Sequence, residues 1–327
     1  MRPEPARTRP RVCLVHLVRA ANGLAPLLAF LASYRERSAG VEHELVLAMK
    51  GFTSEQAAGA HLRAASGLDA QVVHLADEGL DLDAYAHVAR ELRRERYCFM
   101  NSYSSILAED WLAKLDGALS RPGVGLVGAT GSWASARSQA LYAQGLPTAY
   151  RAVYPDRRWM REQFRALEAE RAGAGSPRLA GLREQLNTWR ATLQAVRSFP
   201  AFPAPHLRTN AFMIEGALLA RLRLRQARRK LHAYQLESGR ASITRQVSRL
   251  GLRSLVVDAD GKTFDEQEWD RSRTFWQHDQ EGLMVADNQT EVYAGADRER
   301  RLLLSRYAWG LRADPTAPPE SRANRTV

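Results

Sequence analysis

The stretch "YCFMNSYSSIL", residues 97–107, decides how the rest of the chain is read. Four apolar residues, Tyr97 to Met100, stop abruptly at Asn101-Ser102-Tyr103-Ser104-Ser105. An amphipathic run, "ILAEDWLAKLDGAL" (106–119), follows. A short apolar run bounded by turn-forming residues and succeeded by helical periodicity predicts a buried strand that hands a polar loop to a helix. The loop carries no carboxylate, which raises the question of what this strand end serves.

Working outward, the same rhythm repeats upstream. "VCLVHLV" (12–18), "HELVLAM" (43–49) and "AQVVHLA" (70–76) read as strands. They alternate with helical "LAPLLAFLASYRER" (24–37), "SEQAAGAHLRAAS" (54–66) and "LDAYAHVARELRRE" (82–95). Downstream, "VGLVGATGSW" (124–133) predicts another strand ending in a Gly/Ser loop. The alternation predicts an α/β fold, a mostly parallel sheet flanked by helices. Ligands of such sheets bind beyond the carboxyl ends of the strands. "NSYSS" and "GATGSWAS" then share one functional edge.

Residues 156–198 break the rhythm and predict an inserted helical hairpin around "GAGSP". Trp159, Met160, Phe164 and Leu167 share one face of its first helix; Leu182, Leu186, Trp189 and Leu193 share one face of the second. Internal packing accounts for such faces, as would a partner or membrane surface. Core-like sequence resumes at "HLRTNAFMIEGALLARL" (206–222), a strand then a helix. Helical "YQLESGRASITRQVSRL" (234–250) and the strand of "RSLVVDADG" (253–261) follow. The expected organisation is a flexible N-terminus over 1–10, one domain over 11–312, and a polar, Pro-rich flexible tail over 313–327.

The 327 residues carry 47 Lys+Arg against 36 Asp+Glu, a net charge of +11. That excess favours anionic partners, or reflects an Arg-rich but ordinary solvated surface. "RLRLRQARRK" (221–230) is its densest run; Arg221, Arg225 and Arg228 share a helical face suited to solvent or to an anionic membrane surface. Without aromatic-interleaved basic sheets or a recognition helix, nucleic acid is not an expected partner. Cys13 and Cys98 lie inside apolar runs, as buried thiols in a reducing compartment would. No apolar run nears the roughly 18 residues of a membrane span, and the N-terminus lacks a signal-peptide pattern. The expected location is cytoplasmic, with peripheral contact at the inner face of the membrane.

The order "GLDLDAY" (79–85), "FMNSYS" (99–104), "WLAKL" (111–115) and "VGLVGATGSW" along the alternating pattern resembles the GT-A nucleotide-sugar glycosyltransferases, and among them the family-two-like bacterial enzymes of polysaccharide assembly. The resemblance covers about residues 11–310 outside the insert. It implies a GT-A-like sheet and transfer of a sugar from a nucleotide-sugar donor to a saccharide or lipid-linked acceptor, with inversion. Where the family has Asp-x-Asp, this chain has Asn101-Ser102-Tyr103. Neutral side chains can hydrogen bond a ribose or phosphate but hold a bare divalent ion poorly, so no metal ligand is assigned and the cofactor is left unknown.

By the same resemblance, Glu237 in "YQLESGR" is the general base, with Arg240 keeping it ionised. Asp81 and Asp83 would meet the base or ribose of the donor; as helix-start carboxylates they would also serve as caps. Trp133 could offer an indole face to a sugar, or pack as core. In "HLRTNAF", Arg208 is the expected diphosphate partner, or else part of a structural salt bridge, with Asn210 beside it. The literal Asp-x-Asp at Asp258-Ala259-Asp260 reads as a turn. His278, Asp279, Asp287 and Asn288 would close the site from the C-terminal side. The alternative function is a non-catalytic nucleotide-binding or scaffold protein on a degenerate GT-A fold.

Overall fold

The structure, a computed structural model, describes residues 10–148, 150, 180–224 and 230–313. Its first half follows the expected alternation: β1 (Val12–Arg19), α1 (Ala25–Glu36), β2 (His43–Lys50), α2 (Glu55–Ala64), β3 (Ala70–Leu75), α3 (Asp81–Leu92) and β4 (Arg96–Met100). Then come β5 (Ser105–Ile106), α4 (Trp111–Leu119), β6 (Val124–Gly128), β7 (Gly131–Ser132) and α5 (Ala136–Ala143). After α6 (Ala180–Ser198) the chain forms β8 (His206–Leu207), β9 (Ala211–Glu215), α7 (Gly216–Arg221), α8 (Lys230–Ser238) and α9 (Ile243–Arg249). β10 (Arg253–Val257), β11 (Thr263–Phe264), β12 (Val285–Ala286), α10 (Asn288–Ala294) and α11 (Arg298–Trp309) complete it.

Eight strands form one sheet in the order β11-β10-β6-β9-β4-β1-β2-β3. β1 pairs in parallel with β2 and β4, β2 with β3, and β10 with β6. Two strands run the other way: β11 at the edge, antiparallel to β10, and β9 inside the sheet, antiparallel to both β4 and β6. The reversal brings the residues before β9 to the edge where β4 and β6 end.

Central strands covered on both faces must be apolar at consecutive positions, which is why β1 and β4 read as unbroken hydrophobic runs. On one face Val15, Leu17, Phe99 and Phe212 pack against Tyr85 and Val88 of α3. On the other Leu14, Met100 and Met213 pack against Phe30 of α1 and Trp111 of α4. Cys13 and Cys98 are buried, unpaired thiols. Burial pushes Cys13 up to about 12 and Cys98 higher still, so both remain protonated and inert.

Residues 234–250 do not form a single helix. α8 stops where Gly239 N–H bonds to Gln235 O, and α9 starts afresh with Ser242 Oγ accepting from Arg245 N. The hairpin's first helix, with Trp159, Met160, Phe164 and Leu167, lies outside the described residues, as do Arg225, Arg228 and the termini apart from Pro10 and Ala313. In α6, Ala191, Ala195 and Phe199 just beyond its end pack on Ala140 and Ala143 of α5. Trp189 and Leu193 stay 47% and 52% exposed. Among the described residues no helix is long and apolar enough to cross a membrane.

Candidate active site

The C-terminal strand tips and the start of β9 bring a set of polar side chains to one edge of the sheet. β1 and β2 stay in register to their last residues, so Arg19 sits opposite Lys50. Register partners on neighbouring parallel strands leave the sheet on the same face, about 4.8 Å apart at the backbone. Lys50 is 1% exposed; its Nζ donates to Gly79 O at 2.6 Å and lies 3.7 Å from Asp77. Burial, and then the neighbouring Arg19, lower its pKa. Arg19 forms no ion pair among the described residues, and its Nε is buried without an acceptor.

The loop from β3 to α3 faces this pair. Gly79 adopts φ 67°, a region open to glycine, and a Cβ there would strike the Asp83 carboxylate. Asp83 is therefore a cap: its Oδ2 accepts from Leu80 N at 2.7 Å. Asp81 plays a different part. Burial raises its pKa, Arg19 and Lys50 oppose that rise, and Glu237 adds to it. Asp81 thus shares one electrostatic neighbourhood with the two cations and Glu237, without hydrogen bonding to any of them.

At the tip of β4, Asn101 accepts from Tyr103 N and Ser104 Oγ, both at 3.0 Å, through the same Oδ1. Its side-chain oxygen is occupied in shaping the turn. Ser102 is 4% exposed with an unpartnered Oγ, and Tyr103 is exposed. Two residues before β9, Thr209 donates its N–H at 3.0 Å and its hydroxyl at 3.2 Å to Glu237 Oε1. That fixes the α8 carboxylate at the strand-tip edge.

Other expected contact residues serve as braces. Asn210 is 2% exposed, accepting from Thr130 Oγ1 at 2.6 Å and donating to Val285 O at 3.4 Å. Arg208 Nη2 donates to Asp287 at 2.7 Å, and its guanidinium lies 3.9 Å from the Phe275 ring centroid. Its charge is spent on a buried carboxylate, which corrects its expected place at a diphosphate. Trp133 is 4% exposed, its edge against Trp309 and its Nε1 bonded to Glu266 O. It is packed as core and offers no platform for a sugar ring.

The expected open loop at 128–135 is buried except for Ala134, and its amides are used internally, Ala129 N to Ala211 O and Trp133 N to Ala308 O. Arg240 is exposed and forms no ion pair with Glu237; its charge acts on Arg245, and its backbone carbonyl accepts from Arg249. Asp258 accepts from Asp260 N and Lys262 N, so that motif is a turn, as read. His278 lines a separate cavity of about 250 Å³ with Asp270, Arg271, Arg273 and Arg312, while Asp279 pairs with Arg301. A larger cavity, about 1060 Å³, runs along α3 and includes Lys50 and Asp83 in its lining, but not Arg19, Asp81 or Glu237.

Arg19, Lys50 and Thr209 were missed as site residues, and the signal was present for two of them. A lone cation closing an apolar strand, as in "VCLVHLVR" and "HELVLAMK", sits where parallel sheets bind ligands.

A carboxylate-held metal, implied by the GT-A resemblance, does not fit this donor set. The one oxygen of Asn101 already takes two hydrogen bonds, and no three His, Cys, Asp or Glu side chains converge among the described residues.

No family model matches the sequence, and no curated protein matches it. Among solved structures the fold is similar to the mannosyltransferase PcManGT from Pyrobaculum calidifontis in complex with GDP-Man and Mn2+, at 14% identity over 96% of this chain and 78% of that one, TM-score 0.41. It is also similar to core-mannan synthase A (CmsA/Ktr4) from Aspergillus fumigatus in its Mn/GDP form, at 9% identity over 67% and 63%, TM-score 0.33. S. aureus TarS 1-349 in complex with UDP-GlcNAc matches at 14% identity over 36% and 33%, TM-score 0.28. Likenesses this distant carry no argument, and the strand order and the polar strand-tip edge stand on their own.

Proposed function

We propose that the chain is a glycosyltransferase that moves a sugar from a nucleotide-sugar donor to a saccharide or lipid-linked acceptor, with inversion, in surface polysaccharide synthesis. The observation that carries this reading is the placement of Glu237: a carboxylate fixed by two donors from Thr209, on the strand-tip edge that also holds Asp81 and two cations. In a single displacement the acceptor hydroxyl attacks the anomeric carbon while Glu237 takes the hydroxyl proton. The bond from the anomeric carbon to the diphosphate oxygen breaks, and its electron pair leaves with the nucleoside diphosphate. Asp81, which makes no hydrogen bond among the described residues, suits a ribose hydroxyl, with Asn101 and Tyr103 on the same edge.

The test is a donor screen beginning with GDP-mannose and UDP-GlcNAc, the sugars bound in two of the similar structures, against saccharide and lipid-linked acceptors. Glu237→Gln keeps the shape and an acceptor for Thr209 but removes the base. We expect turnover to fall by about 10²–10⁴-fold. Undiminished turnover in that variant removes Glu237 from the mechanism.

The internal bonding of Asn101 favours a second reading, a nucleotide-binding protein on a fold that no longer transfers sugar. Nucleoside diphosphate binding with no turnover for any donor and acceptor would select it.

A further inference from the structure

The strand-tip edge holds more positive charge than its own carboxylates neutralise at contact distance. Arg19 and Lys50 leave β1 and β2 as register partners on one face, beside the first turn of α3. Lys50 is fastened by Gly79 O, with Asp77 3.7 Å away and mostly exposed. Arg19 has no ion pair among the described residues, and its Nε lies buried with no acceptor. Asp81 is close enough to feel both cations yet makes no ion pair with either within 4.0 Å. A guanidinium with an orphaned donor, backed by a buried ammonium, is the arrangement that an anion with several acceptor oxygens completes. Arg208 cannot do this, because Asp287 already neutralises it.

We propose that Arg19, backed by Lys50, anchors a phosphate group of the nucleoside diphosphate, supplying at the tips of β1 and β2 the positive charge that the tip of β4 has no carboxylates to recruit as a metal. The assignment rests on the transferase reading for the identity of the ligand, and on the cation pair alone for its charge. The site itself is an anion site whatever nucleoside is attached.

Calorimetry on the full chain in the presence of a chelator tests it, with UDP, GDP and inorganic pyrophosphate as probes. We expect binding in chelator, weakened at least tenfold by Arg19→Gln, weakened less by Arg19→Lys, and unchanged by Arg63→Gln on the exposed side of α2. Thermal unfolding of each variant shows that it is folded. Nucleotide binding that Arg19→Gln leaves intact, or that requires added Mn2+, overturns the proposal and leaves the transferase reading standing. Pyrophosphate binding through Arg19 with no affinity for either nucleotide supports the anion site and removes the transferase reading. No binding of any probe overturns both.

Discussion

His16 shows at the scale of one residue how burial overrides chemistry. Its ring stacks on Phe30 with centroids 3.7 Å apart, and neither ring nitrogen finds a partner. Burial pushes its pKa down to about 3. The unfolded chain protonates this imidazole near its ordinary 6.5. The unfolded state therefore takes up a proton first, and stability falls as pH drops from 6.5 towards 3. The slope is about 1.4 kcal/mol per pH unit from this group. His16→Phe keeps the stack and removes both orphaned nitrogens. We expect it to shrink the stability difference between pH 7 and pH 4.5 by about 2–3 kcal/mol, read from urea midpoints at the two pH values. An unchanged difference would mean that His16 titrates normally in the folded state. The same logic separates residues that sequence alone left ambiguous. Asp81 and Asp83 sit two positions apart on one helix start, yet only Asp83, at the third helical position, reaches back to cap Leu80 N, while Asp81 lies among the strand-tip charges.

Among elements, the segment from Arg273 to Gln280 is the most constrained. Arg273, Trp276, His278 and Gln280 all have φ between 47° and 58°, a left-handed region that costs non-glycine residues of order 1 kcal/mol or more each. Two buried glutamines hold it. Gln277 accepts from Thr274 N at 3.1 Å and donates to Trp269 O at 2.9 Å, and Gln280 accepts from Trp276 N and donates to Thr290 O. The result is Phe275 held against Arg208. Gln277→Leu leaves the buried Thr274 N–H without its acceptor and takes one donor from Trp269 O, which keeps its bonds from Ser272. We expect a loss of about 2–4 kcal/mol in chemical denaturation; a loss under about 1 kcal/mol would show that the loop does not depend on that side chain. None of this was legible beforehand, because left-handed non-glycine backbone has no compositional signal. The central strands β1, β2, β4 and β6 were legible because a doubly covered strand is largely apolar, and the edge strand β3 because Val72, Val73 and Leu75 still form a short apolar run. The break between α8 and α9 was hidden because helical periodicity carries across Gly239.

The whole molecule combines a net charge of +11 with an exposed apolar stripe on α6, where Trp189 and Leu193 stand beside exposed Arg190 and Arg197. That combination supports the proposed contact with an anionic membrane, where a lipid-linked acceptor would be met. We expect co-sedimentation with vesicles containing anionic lipid, lost with neutral vesicles, weakened by salt and reduced several-fold by Trp189→Ala. Sedimentation that ignores lipid charge would sink this expectation. The sheet class was legible at this scale from alternation alone. The reversal of β9 was not, since strand direction is set by partners more than eighty residues away rather than by local pattern.

That reversed strand also governs how the molecule comes into being. β4 and β6 never bond to each other; β9, made long after both, is the piece that fits between them. A nascent chain that has produced only the first 148 residues therefore carries two greasy ribbons, β4 with one open edge and β6 with neither neighbour yet made, an open invitation to the wrong partner. The later half of the polypeptide seals its own earlier half, and with the same stroke delivers Thr209 to the carboxylate it steadies.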